Sequence, residues 1–99
     1  MYGLIGKFKA KPGQRDALIA AMLDDDSEIP GCHSFVVARD PADADTVWIT
    51  EVWESQASHK ASLELPSVKA SIERAMPLIA NFERPVETDP VGGIGLPKR

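Results

Sequence analysis

The chain has a single cysteine, Cys32, so no intrachain disulfide can form. One thiol is consistent with a reducing compartment. No run of about eighteen apolar residues is present to span a membrane. No basic-then-apolar leader opens the chain, because Tyr2 to Phe8 is too short and runs straight into structure. Basic residues are outnumbered, 11 to 15, leaving a formal charge of −4. A phosphate-binding surface needs a basic stripe, so nucleic acid is not an expected partner. The row Lys7, Lys9, Lys11 reads instead as a solvated strand face. These absences describe a soluble cytoplasmic protein.

Chemical motifs are equally scarce. Gly92-Gly93-Ile94-Gly95 precedes no helix, so it is not a dinucleotide fingerprint. There is no CxxC or HxxxH spacing for zinc. His33 and His59 are the two histidines, too few for a metal site by themselves. His33 directly follows Cys32, and on a regular strand neighbours point to opposite faces, so a Cys–His couple is not expected. Asp24, Asp25 and Asp26 crowd a helix end and splay apart. They read as a solvated acidic corner where the helix frays, not as a calcium loop. No metal or other cofactor is expected from the residues.

What remains is pattern. At 99 residues and 43% hydrophobic content the chain suits one small globular domain. Tyr2 to Ala10 alternates with the period of a half-buried strand, and Lys11-Pro12-Gly13 ends it. Gln14 to Asp25 carries Leu18, Ala21 and Met22 at helical spacing. Cys32 to Arg39 and Thr46 to Glu54 are two further strands, close enough to form an antiparallel hairpin. Ser55 is a candidate N-cap for a helix through Leu63, and Pro66 suits the first turn of the next. Pro77 should kink or tighten that second piece near its end. Asn81 to Thr88 is a fourth strand, with Pro85 marking a bulge or edge. The tail from Val91 to Arg99 is flexible by composition, which leaves a domain over residues 1–90.

The order βαββαβ predicts an α+β, ferredoxin-like antiparallel sheet with helices on one face. Both sheet faces carry apolar groups, so the open one wants a second cover. A twofold dimer meeting sheet to sheet would supply it, with Trp48 at the interface.

The stretch from Val47 to Lys60 holds the candidate site. Glu51 and Trp53 share a face with Ile49. If the helices cover that face, a carboxylate points into apolar space with a raised pKa and can serve as a base. Otherwise Glu51 is a paired glutamate at the sheet end. Trp53 is either core or pocket wall. His59 lies one turn into the following helix, as an exposed imidazole or as a proton-handling group.

Four short motifs add a family resemblance. Lys11-Pro12-Gly13-Gln14 follows the first strand and Pro30-Gly31-Cys32 opens the second. Val52-Trp53-Glu54-Ser55 ends the third, and Leu65-Pro66-Ser67-Val68 breaks the second helix before a run ending at Phe82. In this order, over residues 2 to 90, they resemble the antibiotic biosynthesis monooxygenase domain family, which includes small quinol monooxygenases. The resemblance implies a ferredoxin-like fold dimerised through its sheets into an α/β barrel. It also implies oxidation of a small quinol or phenolic aromatic by dioxygen, with neither metal nor flavin. By the same resemblance Trp53 would wall the pocket, Glu51 and His59 would handle protons, and His33 would be a further candidate. Members often place histidines or a tyrosine where this chain has Ser62, Ser67 and Ser71. Ser62 thereby joins His33 and Trp53 as a substrate-binding candidate. The asparagine, tryptophan and histidine of the haem-degrading members have no counterpart, which argues against haem. A non-catalytic ligand-binding barrel and an isomerase of a small carbonyl compound are the other readings the scaffold allows.

Overall fold

The structure is a computed structural model that describes residues 1–24 and 28–97. Asp25 and Asp26, two of the three aspartates read above as an acidic corner, lie outside the described residues, as do Lys98 and Arg99 at the end of the tail.

Strand β1 spans Tyr2–Ala10 and its alternation sorts the two sheet faces. Leu4 and Ala10 are buried, whereas Ile5 and Lys9 are exposed. Gly13, at φ +75°, turns the chain into helix α1, Arg15–Leu23. The helix is shorter than the predicted Gln14–Asp25. Asp24 follows it directly and is tied to a later helix of the same layer: it accepts from Ser71 Oγ at 2.7 Å and from the Arg74 guanidinium. Asp24 is exposed, as a solvated corner should be, and it also acts as a strut between two helices.

Strands β2 (Cys32–Arg39) and β3 (Thr46–Trp53) form the expected antiparallel hairpin. The Arg15 guanidinium holds their connection in place, donating to the carbonyls of Asp43 at 2.8 Å and Asp40 at 3.2 Å. Helix α2 (Gln56–Ser62) starts at the predicted cap, where Ser55 Oγ accepts from the Ser58 N–H at 3.1 Å. Helix α3 (Pro66–Ala75) has proline in its first turn, and Pro77 tightens the chain into a 3-10 turn over Met76–Leu78. The predicted fourth strand is divided in two. Strands β4 (Ile79–Phe82) and β5 (Val86–Thr88) run along the same edge of β1, separated at Glu83-Arg84-Pro85. Proline has no N–H for the ladder, so pairing lapses there and resumes beyond it.

The sheet order β2-β3-β1-β4 is the ferredoxin-like arrangement, but the expected barrel is not formed. A sheet becomes a barrel when its first and last strands pair. Among the described residues β2 bonds only to β3, and β4 and β5 bond only to β1, so the sheet is open at both edges.

Register decides what each face holds. Phe8 lies opposite Val47, Gly6 opposite Ile49 and Leu4 opposite Glu51, so these share the face under the helices. Leu18 and Ala21 of α1 and Ala75 of α3 close over Ala10, Val47 and Ile49 to form the core. Burial of this kind contributes roughly 25 cal/mol per Å² of apolar surface. The other face carries Ile5, Val36 and Val86, exposed by 36%, 53% and 58%, a row of aliphatic side chains left in solvent. Trp48 is on that face too, with the Lys7 ammonium 5.3 Å from its ring and its Nε1–H donating to Asp40 at 2.8 Å. The lysine row is paired as well as solvated. Lys7 meets Glu83 and Lys9 meets Asp43 at 3.6 and 3.7 Å, exposed pairs that add little stability. Among the described residues no helix is long and apolar enough to cross a membrane.

Candidate active site

Between the covered sheet face and the three helices lies a cavity of about 620 Å³. Strand β3 enters it with Ile49, Glu51 and Trp53, every second residue of one strand. The start of β2 brings Cys32 and His33, and α2 brings His59 and Ser62. All five residues singled out from the sequence thus stand on one wall system.

Glu51 occupies the covered face, which settles one alternative left open by the sequence. Its carboxyl is mostly buried among apolar groups, and this desolvation raises its pKa above the ordinary glutamate range. Two weaker effects oppose the rise: a hydrogen bond from Trp53 and the nearby His59. The bond is direct, Trp53 Nε1–H donating to Glu51 Oε1 at 3.0 Å. Trp53 itself is 3% exposed, so it is core and cavity wall at once.

His59 is not a free surface side chain. Its ring sits edge-on to Trp53 at 5.3 Å between centroids and tilted against Tyr2 at 5.8 Å. Tyr2 follows from register, being directly opposite Trp53. Strand alternation puts Tyr2 on the Leu4 face, but nothing local in the chain connects it to His59. The phenol of Tyr2 has a raised pKa, chiefly from desolvation and then from Glu87. Ser62 is buried and its hydroxyl donates to the His59 carbonyl at 2.6 Å. Its donor is therefore spent within α2, and its oxygen can only accept from a ligand.

His33 departs from simple alternation. A bulge lies between Cys32 and Ser34: Cys32 pairs with Trp53 and Ser34 with Val52, leaving His33 as the extra residue. This is why Cys32 and His33 reach the same cavity although adjacent in sequence. His33 Nε2 lies 2.7 Å from Glu54 Oε2, so the imidazole is engaged at the edge of the site. Cys32 was not expected to couple with His33. It lies on the cavity wall, half-buried, with its pKa pushed up by burial and by the Glu51 charge. A raised thiol pKa keeps it protonated and a poor nucleophile.

Among the described residues no group of three His, Cys, Asp or Glu side chains is placed to hold a metal ion. The arrangement offers a carboxylate of increased basicity, an imidazole packed beside it, and a large apolar space.

Comparison with known proteins agrees with this architecture. The model of the family described as "Antibiotic biosynthesis monooxygenase" matches residues 1–74. A crystal structure from Chloroflexus aurantiacus, assigned to antibiotic biosynthesis monooxygenases, is 59% identical with a TM-score of 0.92, covering 97% of this chain and 98% of its own. Structures of the same description from Nitrosomonas europaea and Deinococcus radiodurans share the fold at 18% and 19% identity. Their TM-scores are 0.78 and 0.74, each covers 95% of this chain, and the match takes in 99% and 96% of theirs. No curated protein matches the chain. With three quarters of its length inside the family's pattern, the chain belongs to the antibiotic biosynthesis monooxygenase family.

Proposed function

We propose that the protein is a monooxygenase that oxidises a small quinol or phenolic aromatic with dioxygen, using Glu51 as the base and no bound cofactor. The observation that carries this reading is the carboxyl of Glu51, desolvated inside an apolar cavity and oriented by the Trp53 indole. A carboxylate of raised pKa is a stronger base and sits closer to the pKa of a phenol, about 10 for an unperturbed phenolic side chain.

The chemistry needs little else from the protein. Glu51 takes the phenolic proton. The phenolate, now electron-rich, passes one electron to dioxygen, and the resulting phenoxyl radical and superoxide combine at a ring carbon that bears hydrogen. The ring carbon gives up its hydrogen, the O–O bond breaks, and water leaves. Phenol and dioxygen become quinone and water, so one oxygen atom enters the ring and no external reductant is consumed. In this reading His59, packed against Trp53, returns a proton to the departing oxygen. Trp53 walls the ring-binding space, with His33 and the Ser62 oxygen as polar contacts for substrate.

The row of exposed aliphatic side chains on the outer sheet face, Ile5, Val36 and Val86, supports a homodimer through that face. The same buried carboxylate would also suit proton abstraction from a carbon beside a carbonyl, so an isomerase is the second reading.

Oxygen uptake by purified, chelator-treated protein against hydroquinones and polycyclic phenols, corrected for autoxidation, is the test. Uptake that scales with protein and falls in Glu51→Gln supports the monooxygenase. Uptake equal to the blank, with exchange of a substrate C–H proton into deuterated water, would replace it with the isomerase.

A further inference from the structure

The cavity is chemically lopsided. Its polar groups gather where β2 starts and β3 finishes, at Glu51, His33 and Cys32, with His59 and Ser62 from α2 above them. Register puts this end beside the start of β1, since Trp53 faces Tyr2 and Glu51 faces Leu4. The opposite end lies over the finish of β1, where Phe8 pairs with Val47 on one side and Phe82 on the other. There the wall is Phe8, Ile49 and Ile79 from the sheet, and Ile72 and Met76 from α3 and the turn after it. Ser71 is also on this wall, but its hydroxyl is turned to Asp24. Glu28 is exposed on the connection into β2.

Size adds a second constraint. A cavity of about 150 Å³ suffices for benzene. The space here, about 620 Å³, is roughly four times that, in the range of sites for drug-sized ligands. A one-ring hydroquinone would leave most of it empty. Its second hydroxyl, para to the one held by Glu51, would face an apolar wall and gain no protein hydrogen bond, only water entering over the rim.

We infer that the ligand of this site is a one-headed amphipathic phenol: a single acidic hydroxyl held at Glu51, and a hydrocarbon body that extends along α3 toward Phe8 and Met76. Ile72 and Met76, exposed by 42% and 53%, form the rim over which the body enters. This specifies the substrate class of the phenol-oxidising site proposed above and rests on that reading for the phenol head.

The experiment is anaerobic calorimetry, so that binding is read without turnover. The probes are para-cresol, para-propylphenol, para-pentylphenol and para-heptylphenol, with hydroquinone and the methyl ether of para-heptylphenol as controls. Affinity should rise about fourfold per methylene, the fold-change equivalent to about 0.8 kcal/mol, until the apolar end is filled. Hydroquinone should bind no more tightly than para-cresol, and the methyl ether at least tenfold more weakly than its parent phenol. Ile72→Trp, which narrows the entrance to the apolar end, should weaken para-heptylphenol more than para-cresol and so flatten the chain-length series. A flat series in the unmodified protein, equal binding of the ether, or an undiminished series in Ile72→Trp would overturn the inference. The two readings fail separately. A rising series without oxygen uptake in air sinks the oxygenase alone, whereas oxygen uptake on hydroquinone with a flat series sinks the one-headed ligand alone.

Discussion

The Trp53 indole donates to the Glu51 carboxyl from two residues along the same strand. Positions i and i+2 of a strand share a face. The bond therefore needs no loop to arrange it, and it holds once the β3 register is set against β1 and β2. It makes the orientation of the candidate base a property of the sheet, the most constrained part of the molecule.

Trp53→Phe keeps an aromatic wall and deletes the donor. The bond lowers the Glu51 pKa against the larger rise from burial, so removing it raises that pKa further. A base acts when deprotonated. The rising limb of kcat/KM against pH should then move to higher pH in Trp53→Phe. Superimposable limbs in the two proteins would show that Glu51 is not the titrating base.

Glu51 also couples stability to pH, and the sign is opposite to that of a salt-bridged carboxylate. Its folded pKa is raised, so between the ordinary glutamate value, about 4.3, and the folded value the native state binds more protons than the unfolded state. Stability falls as pH climbs through that window and then levels off. Glu51→Gln removes the titration. Its unfolding free energy relative to the unmodified protein should improve with rising pH across the same window, by denaturant melts at several pH values. A difference independent of pH would mean the carboxyl is solvated in the folded chain.

Much of this geometry was legible in the residues and some was not. Alternation through Tyr2–Ala10 and Thr46–Trp53 sorted the faces and so brought Glu51 and Trp53 together, because a period of two is local. The cap at Ser55 and the break at Pro66 were legible for the same reason: each acts within a few residues. The bulge that brings His33 beside Cys32 was not, since a bulge is a mismatch between two strands and leaves no mark on one of them. Pro85 marked an edge, but the division of the last strand depended on what β1 offers opposite it. The expected barrel went beyond anything a single βαββαβ chain encodes, and the observed sheet keeps both edges open.

Gly31 sets the distance between β2 and α2. It holds φ +80°, a left-handed conformation that costs other residues about 1–2 kcal/mol, and a Cβ there would stand 2.6 Å from that of Ser58. Ser58 cannot swing away freely, because its N–H is bonded to the Ser55 cap. Gly31→Ala should therefore cost about 2 kcal/mol or more and push the first turn of α2 outward, carrying His59 with it. Thermal melts read the cost, and weaker ligand binding under conditions where the variant is fully folded reads the displacement. A variant as stable as the parent would show that the turn relaxes without moving the helix.

His59 separates packing from chemistry. From sequence, a histidine in the first turn of a helix contributes little to stability. In the structure its ring packs against both Trp53 and Tyr2, and aromatic contacts of this kind contribute about 0.5–1.5 kcal/mol each beyond simple burial. His59→Ala should thus lose roughly 1 to 3 kcal/mol as well as turnover, so its activity alone cannot assign a role. His59→Phe resolves the two. It restores a ring against Trp53 and Tyr2 but can carry no proton. If the imidazole returns a proton to the departing oxygen, His59→Phe recovers most of the stability lost in His59→Ala and none of the oxygen uptake. If His59 only props Trp53, and through it Glu51, then His59→Phe recovers both together. Melting curves and oxygen uptake on the same three proteins decide between a proton donor and a spacer.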